Sequence, residues 1–285
     1  MTKTRLWSIL VLVGAICAAL IAGGCGDSSS DSSDGDTSGS GIASVDDLGG
    51  LIVGAQDGTT GETYANDETD AGEVRGFPEG PDAIAALRTG QVDAVIIDQP
   101  VAVDAQEKQG GIEIVEEIAT DELYGFAMSP DSPGLRADVN TALAELKEDG
   151  TISDLYQQYF KTEPPASVLE GTNDLAEPAD EAAEPELITE GTLTVGTDTP
   201  FEPFEIGQPP DITGYDIEVM NAIAEKLGLE PEYTDTSFET IFRDVAAGQF
   251  DIVAAASTIT PGRENAVDFS DPYYEAQQAL VVPAE

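Results

Sequence analysis

The chain has 285 residues, 56 Asp and Glu against 11 Lys and Arg, a formal net charge of −45 and a hydrophobic share of 41%. That length allows two ordinary domains and that apolar share a sizeable core, whereas the charge argues against nucleic acid or an anionic membrane surface as partner. Histidine is absent and both cysteines, Cys17 and Cys25, lie at the extreme N-terminus, which excludes histidine catalysis, histidine metal sites, and a disulfide or thiol nucleophile in the remainder.

Lys3 and Arg5 precede an apolar run from Leu6 to Ala22, the pattern of a secretory leader. The run ends in Ile21-Ala22-Gly23-Gly24-Cys25, small residues directly before a cysteine, which resembles the bacterial lipobox. That resemblance implies that residues 1–24 are a lipoprotein signal peptide and that Cys25 carries lipid, anchoring the chain to the membrane. The alternative is an uncleaved anchor, because the run is nearly long enough to span. Both place the rest of the chain outside the cytoplasm. Residues 25–41 are mostly Ser, Asp, Gly and Thr and are expected to form a flexible spacer, since such a composition cannot bury a core.

A second low-complexity stretch, about 163–185, is rich in Ala, Glu, Asp and Pro and reads as a linker between segments 42–162 and 186–285. The two segments echo each other. Leu51-Ile52-Val53-Gly54-Ala55-Gln56 parallels Leu193-Thr194-Val195-Gly196-Thr197-Asp198, each a β-rich run entering a polar turn. Gly90-Gln91-Val92-Asp93-Ala94-Val95 parallels Gly248-Gln249-Phe250-Asp251-Ile252-Val253. Helical patterns at Pro81–Arg88 and Phe238–Ala247 precede these runs, so Gly90 and Gly248 are expected just past a helix end. Val92–Ile97 and Ile252–Ala256 read as buried parallel strands. The pattern is two similar α/β units, in which ligands bind beyond the carboxyl ends of the strands. Gln56, Asp98, Asp198 and Ser257-Thr258 all stand at such ends.

Several motifs together resemble the amino-acid-binding periplasmic substrate-binding proteins, solute-binding family 3. They are Val195-Gly196-Thr197-Asp198-Thr199-Pro200-Phe201-Glu202-Pro203-Phe204, Gly214-Tyr215-Asp216-Ile217, Ser257-Thr258-Ile259-Thr260-Pro261-Gly262-Arg263 and Val267-Asp268-Phe269-Ser270-Asp271-Pro272-Tyr273-Tyr274. From the other segment come Asp57-Gly58-Thr59-Thr60-Gly61-Glu62 and Leu143 through Phe160. The resemblance implies an α/β, two-lobed periplasmic-binding-protein-like fold of type II. The order departs from the family, in which the part resembling 186–285 comes first. Joining Val282-Pro283 to Ile42-Ala43 would rebuild the usual order, so the chain reads as circularly permuted; the alternative is a fusion of two fragments. A linker of ~20 residues reaches roughly 25 Å, enough to join termini on one lobe. The expected lobes are residues 42–123 plus 278–285, and residues 124–277 including the linker, with a helix starting near Ser44.

The resemblance implies an extracytoplasmic receptor that delivers an amino acid to an ABC import permease, acts as a monomer, and needs no cofactor, metal or catalytic residue. A swapped dimer, a sensory receptor and a dehydratase-like enzyme on the same fold stay open. An arginine fork matches a carboxylate, and Arg263 stands where the family binds the ligand's carboxylate, with Thr258, Thr60 and Thr59 as further donors and Ala256 beside them. Asp98 stands at the family's ammonium-binding position, or else caps the next helix. Phe201 and Phe238 occupy the aromatic positions beside the ligand side chain. Asp198 and Gln56 stand where specificity is set. A carboxylate there prefers a donor, which favours glutamine, arginine or another polar amino acid over glutamate or leucine.

Overall fold

The computed structural model of the protein describes residues 41–173, 175 and 187–284. The expected signal peptide, Cys25, the spacer to residue 40 and linker residues 174 and 176–185 lie outside them. All described residues fall within one compact unit.

In chain order the elements are β1 (Ile52–Gln56), α1 (Thr60–Asp67), β2 (Glu73–Phe77), α2 (Gly80–Arg88), β3 (Ala94–Asp98), α3 (Gln99–Gln109), β4 (Ile112–Tyr124), β5 (Ala127–Met128), α4 (Pro133–Glu148) and α5 (Thr151–Phe160). Then follow α6 (Ala166–Leu169), β6 (Thr192–Thr197), β7 (Ile206–Gln208), β8 (Asp211–Thr213), α7 (Tyr215–Leu227), β9 (Glu230–Asp235), α8 (Phe238–Ala246), β10 (Ile252–Val253), β11 (Asp268–Phe269) and β12 (Tyr274–Pro283).

The strands form two five-stranded mixed sheets. One has the order β2-β1-β3-β12-β4, with β1, β2 and β3 parallel and β12 antiparallel to both neighbours. The other has the order β11-β5-β10-β6-β9, with β6, β9 and β10 parallel. The chain passes between the sheets twice, through Gly125-Phe126 and through residues 270–273, and the passages lie side by side. Tyr273 N–H donates to the Tyr124 carbonyl at 3.0 Å and Ser270 N–H to the Phe126 carbonyl at 2.9 Å. The Phe126 and Tyr273 rings stack at 4.0 Å, within a buried group that includes Phe204, Tyr215 and Tyr274.

Local chemistry explains the repeated unit. Phe238, Ile241 and Val245 recur at helical spacing on α8 and are buried. Both expected end glycines adopt positive φ, +69° at Gly90 and +72° at Gly248. Each closes a paired set of bonds: Gly90 N–H to Leu87 O with Gln91 N–H to Ala86 O, and Gly248 N–H to Val245 O with Gln249 N–H to Asp244 O. A side chain in that conformation is strained, so glycine stops each helix and turns the chain into the next strand.

Four details differ from the sequence reading. The apolar run Ile252–Ala256 is a strand only as far as Val253, because Ala256 turns to φ +42° and gives its N–H to Asp216 Oδ2 at 2.8 Å instead of to a ladder. The helix expected near Ser44 is a single 3-10 turn, Val45–Asp47, followed by Gly49 and by Gly50 at φ +79°. The C-terminal strand enters its sheet at Tyr274, paired with Tyr124, ahead of the expected residue 278. The start of the presumed linker is docked: Val168 is fully buried, Ser167 donates to Glu275, and Asn173 Nδ2 donates to Glu264 at 2.6 Å. One valine with a short helix suffices for this docking, and composition averaged over the stretch hides it.

Candidate functional site

Between the two sheets a small cavity is lined by Gln56, Thr59, Thr60 and Asp98 from the β1–β4 side and by Asp198, Phe201, Phe238, Ala255, Ala256, Thr258 and Arg263 from the β6–β10 side. All ten residues singled out from the sequence are among them. Gln56, Asp98 and Asp198 stand at or just past the carboxyl ends of β1, β3 and β6, the geometry an open α/β sheet gives to a binding cleft.

Arg263 links the two sides. Its Nη1 donates to the Thr258 carbonyl at 2.8 Å and its Nη2 to the Gly58 carbonyl at 3.1 Å. The guanidinium also lies over the rings of Phe238 and Phe242, 5.2 and 4.7 Å from their centroids, where cation–π attraction holds a desolvated arginine. Burial pulls it down to about 10, so it keeps its charge at neutral pH. Two of its five N–H groups are engaged here and the rest remain for a ligand.

Asp98 is the first flank of α3 but makes no side-chain cap bond. Its carboxylate accepts from Tyr124 Oη and from Gln278 Nε2. Burial, and then the Glu122 charge, push it up to about 7, while the Tyr124 and Gln278 bonds and Arg263 pull the other way. A ligand ammonium would favour its ionised form.

Thr60 and Thr258 do not point idle hydroxyls at the cavity. Both donate to Glu122 Oε2, at 2.7 and 2.6 Å, and Gln278 Nε2 reaches Glu122 Oε1 at 3.0 Å. A carboxylate of the protein thus holds the hydroxyls expected for the ligand's carboxylate. Glu122 had no sequence signal, being one acid among many in β4. Gln278 had one: it is a polar residue in an apolar strand, in phase with the buried Leu280 and Val282.

At the far end Asp198, 4% exposed, accepts from Gln56 Nε2 at 2.6 Å on Oδ2, and burial pushes its carboxyl up to about 6. Phe201 and Phe238 are 8% and 7% exposed and serve core and cavity wall at once. Asp216 also supports the site. It accepts from Tyr273 Oη at 2.6 Å and from Ala256 N–H, and so fixes the strained turn that carries Ala256 to the wall. Among the described residues there is no cluster of acids able to hold a metal ion, and no helix is long and apolar enough to cross a membrane.

Residues 193–285 match the family of bacterial extracellular solute-binding proteins, family 3. Arginine-binding extracellular protein ArtP of Bacillus subtilis is 38% identical over 89 residues, 31% of this chain and 35% of that protein. L-cystine-binding protein TcyA of the same organism is 37% identical over 93 residues, 32% of this chain and 34% of that protein. Among solved structures, an ancestral cationic amino acid solute-binding protein shares 44% identity over 29% of this chain and 37% of that one, with a TM-score of 0.28. The chain thus spans about a third of the length of the curated relatives it matches. The likeness to the bacterial extracellular solute-binding proteins, family 3, is thus carried by residues 193–285 of this chain.

Proposed function

We propose that this protein is an extracytoplasmic receptor that binds a polar L-amino acid between its two lobes and hands it to an ABC import permease, without catalysing a reaction. The observation that carries this reading is that Arg263 and Asp98 face one cavity from opposite sheets. A free amino acid buried there must have both backbone charges met. Arg263 offers a fork for the α-carboxylate and Asp98 an acceptor for the α-ammonium, while Phe201 and Phe238 wall the side chain. The aromatic walls and the polar ends suit a small ligand held between the lobes.

Two structural proposals accompany this one. Cys25 is the lipidated mature N-terminus, and a monomer docks to the permease from that anchor. Mass spectrometry of membrane-extracted protein should find a chain beginning at Cys25 with a diacylglycerol adduct; intact residues 1–24 would favour the uncleaved anchor over the lipid. The chain is also a circular permutation of the family order, supported by β12 at the C-terminus inserting between β3 and β4.

The test of function is a thermal-shift screen of the proteinogenic amino acids, followed by calorimetric titration. Ligand at 100 times Kd should stabilise the fold by about 2.7 kcal/mol. If no amino acid shifts the melting temperature or gives heat, the receptor reading fails.

A further inference from the structure

Thr59, Thr60, Thr258 and Arg263 line both the amino-acid cavity and a second groove between the same two sides. Glu122 lines the groove and not the cavity, yet it ties two of these residues together. Its Oε2 accepts the Thr60 hydroxyl at 2.7 Å and the Thr258 hydroxyl at 2.6 Å. Thr60 opens α1 on the β1–β4 side, and Thr258 lies beyond β10 on the other. The remaining threonine of the cavity, Thr59, donates its hydroxyl to the Gln56 carbonyl on its own side at 2.8 Å.

Two of these donors to Glu122 come from its own side of the cleft. Besides Thr60, Gln278 Nε2 reaches Oε1 at 3.0 Å, and Ala276, two residues before Gln278, is the direct antiparallel partner of Glu122. Glu122 is 6% exposed, and a carboxylate so buried needs such donors. They hold the group in place, and the Thr258 bond is the one of the three that crosses the cleft. An acceptor fixed in advance loses little freedom when that bond forms, and a carboxylate is a stronger acceptor than a neutral group.

Resting on the receptor reading, we propose that Glu122 is a positioning residue that bolts the two lobes together over a bound amino acid and slows its escape, without touching it. The Thr258 bond forms only where the two sides meet, so its free energy favours the closed arrangement and holds every ligand alike. Glu122 also acts through space: it pushes the Asp98 carboxyl up and is among the charges felt by Arg263. A charge effect of that kind is independent of the Thr258 hydroxyl, whereas the bolt requires it, so a double-mutant cycle separates the two.

The test uses the full chain and each proteinogenic amino acid that shifts its melting temperature. Calorimetric titration should show Glu122→Leu weakening all of them by a common factor of about tenfold or more, the loss of one hydrogen bond to a charged acceptor. Release of radiolabelled amino acid into an unlabelled excess should quicken by the same factor. Glu122→Gln, the less disruptive change, should loosen binding by about threefold or more. In a Thr258→Val background either change at Glu122 should cost little further, whereas in Thr258→Ser, which keeps a hydroxyl, the full cost should return. Unchanged or tighter binding in Glu122→Gln, a loss for some amino acids and not others, or the same cost with and without the hydroxyl at 258 overturns the bolt and leaves the amino-acid site standing. Failure of every amino acid to bind the unaltered chain overturns both.

Discussion

Gln278, in the C-terminal strand, donates its side-chain amide to Asp98, 180 residues earlier, and the two residues are also direct antiparallel partners in the sheet. The same amide reaches Glu122. One residue near the end of the chain thus fixes the orientation of the carboxylate proposed to hold the ligand's ammonium, and neighbouring Leu280 and Val282 share a core with Ile42, Leu48 and Val53.

The C-terminal strand should accordingly control both folding and binding. Leu280→Ala is expected to destabilise the protein by about 2–5 kcal/mol, since Leu280 is wholly buried. Gln278→Leu should keep most stability but weaken amino-acid binding. Deleting residues 278–285 should expose the β3–β4 side to hydrogen exchange and abolish binding. Retained binding and protection in the deletion would show that the strand pairing has no role in solution.

Removing either proposed charge partner should cripple binding without unfolding. Arg263→Ala and Asp98→Ala should each cost about 2–5 kcal/mol in affinity, roughly thirty-fold to several-thousand-fold in Kd. Arg263→Lys should also bind poorly, because a point charge lacks the fork. A variant with wild-type affinity and an unchanged circular dichroism spectrum would reassign the residue.

The ligand-free protein should grow more stable on mild acidification. Asp98 and Glu79 are pushed up to about 7, and Asp198 and Asp216 to about 6, by burial first. A carboxyl raised above its unfolded value near 4 binds its proton more tightly in the folded state. Its stabilising effect is full below that unfolded value and is lost as pH rises through 6 to 7. The melting temperature should therefore climb as pH falls from about 7.5 towards 5, and Glu122→Gln should flatten the climb by removing the largest charge acting on Asp98. A melting temperature that fell across this window would contradict the assignment.

The docked segment before the linker should matter more than its composition suggests. Val168→Ala should cost about 1–3 kcal/mol, since the side chain is fully buried. Chemical denaturation should show the loss without a change in ligand affinity at low denaturant. A neutral effect would mean that α6 is not held against β12.

Much of this was legible from residue patterns, because each pattern has a local cause. The glycines at 90 and 248 ended their helices since the left-handed conformation excludes side chains, and the strand ends that followed delivered Asp98 and Thr258 to the cavity. The resemblance then named ten of the eleven lining residues, all but Ala255. What escaped were groups whose identity carries no local signal. Glu122 is a single acid in a chain that holds 56 acidic residues, and nothing along the chain distinguishes a solvated carboxylate from a buried one.

The order of apolar runs, polar turns and cap residues determined by itself that two α/β units would form and which strand ends would be polar. Those features depend on φ preferences and hydrophobic periodicity within a few residues. The tertiary structure alone decided that Thr60 and Thr258 would meet on Glu122 and that Gln278 would hold Asp98. Each of those contacts joins residues far apart in the chain, and desolvation, which only the assembled fold imposes, raises the proton affinity of Asp98 and Asp198 well above that of a solvated carboxylate.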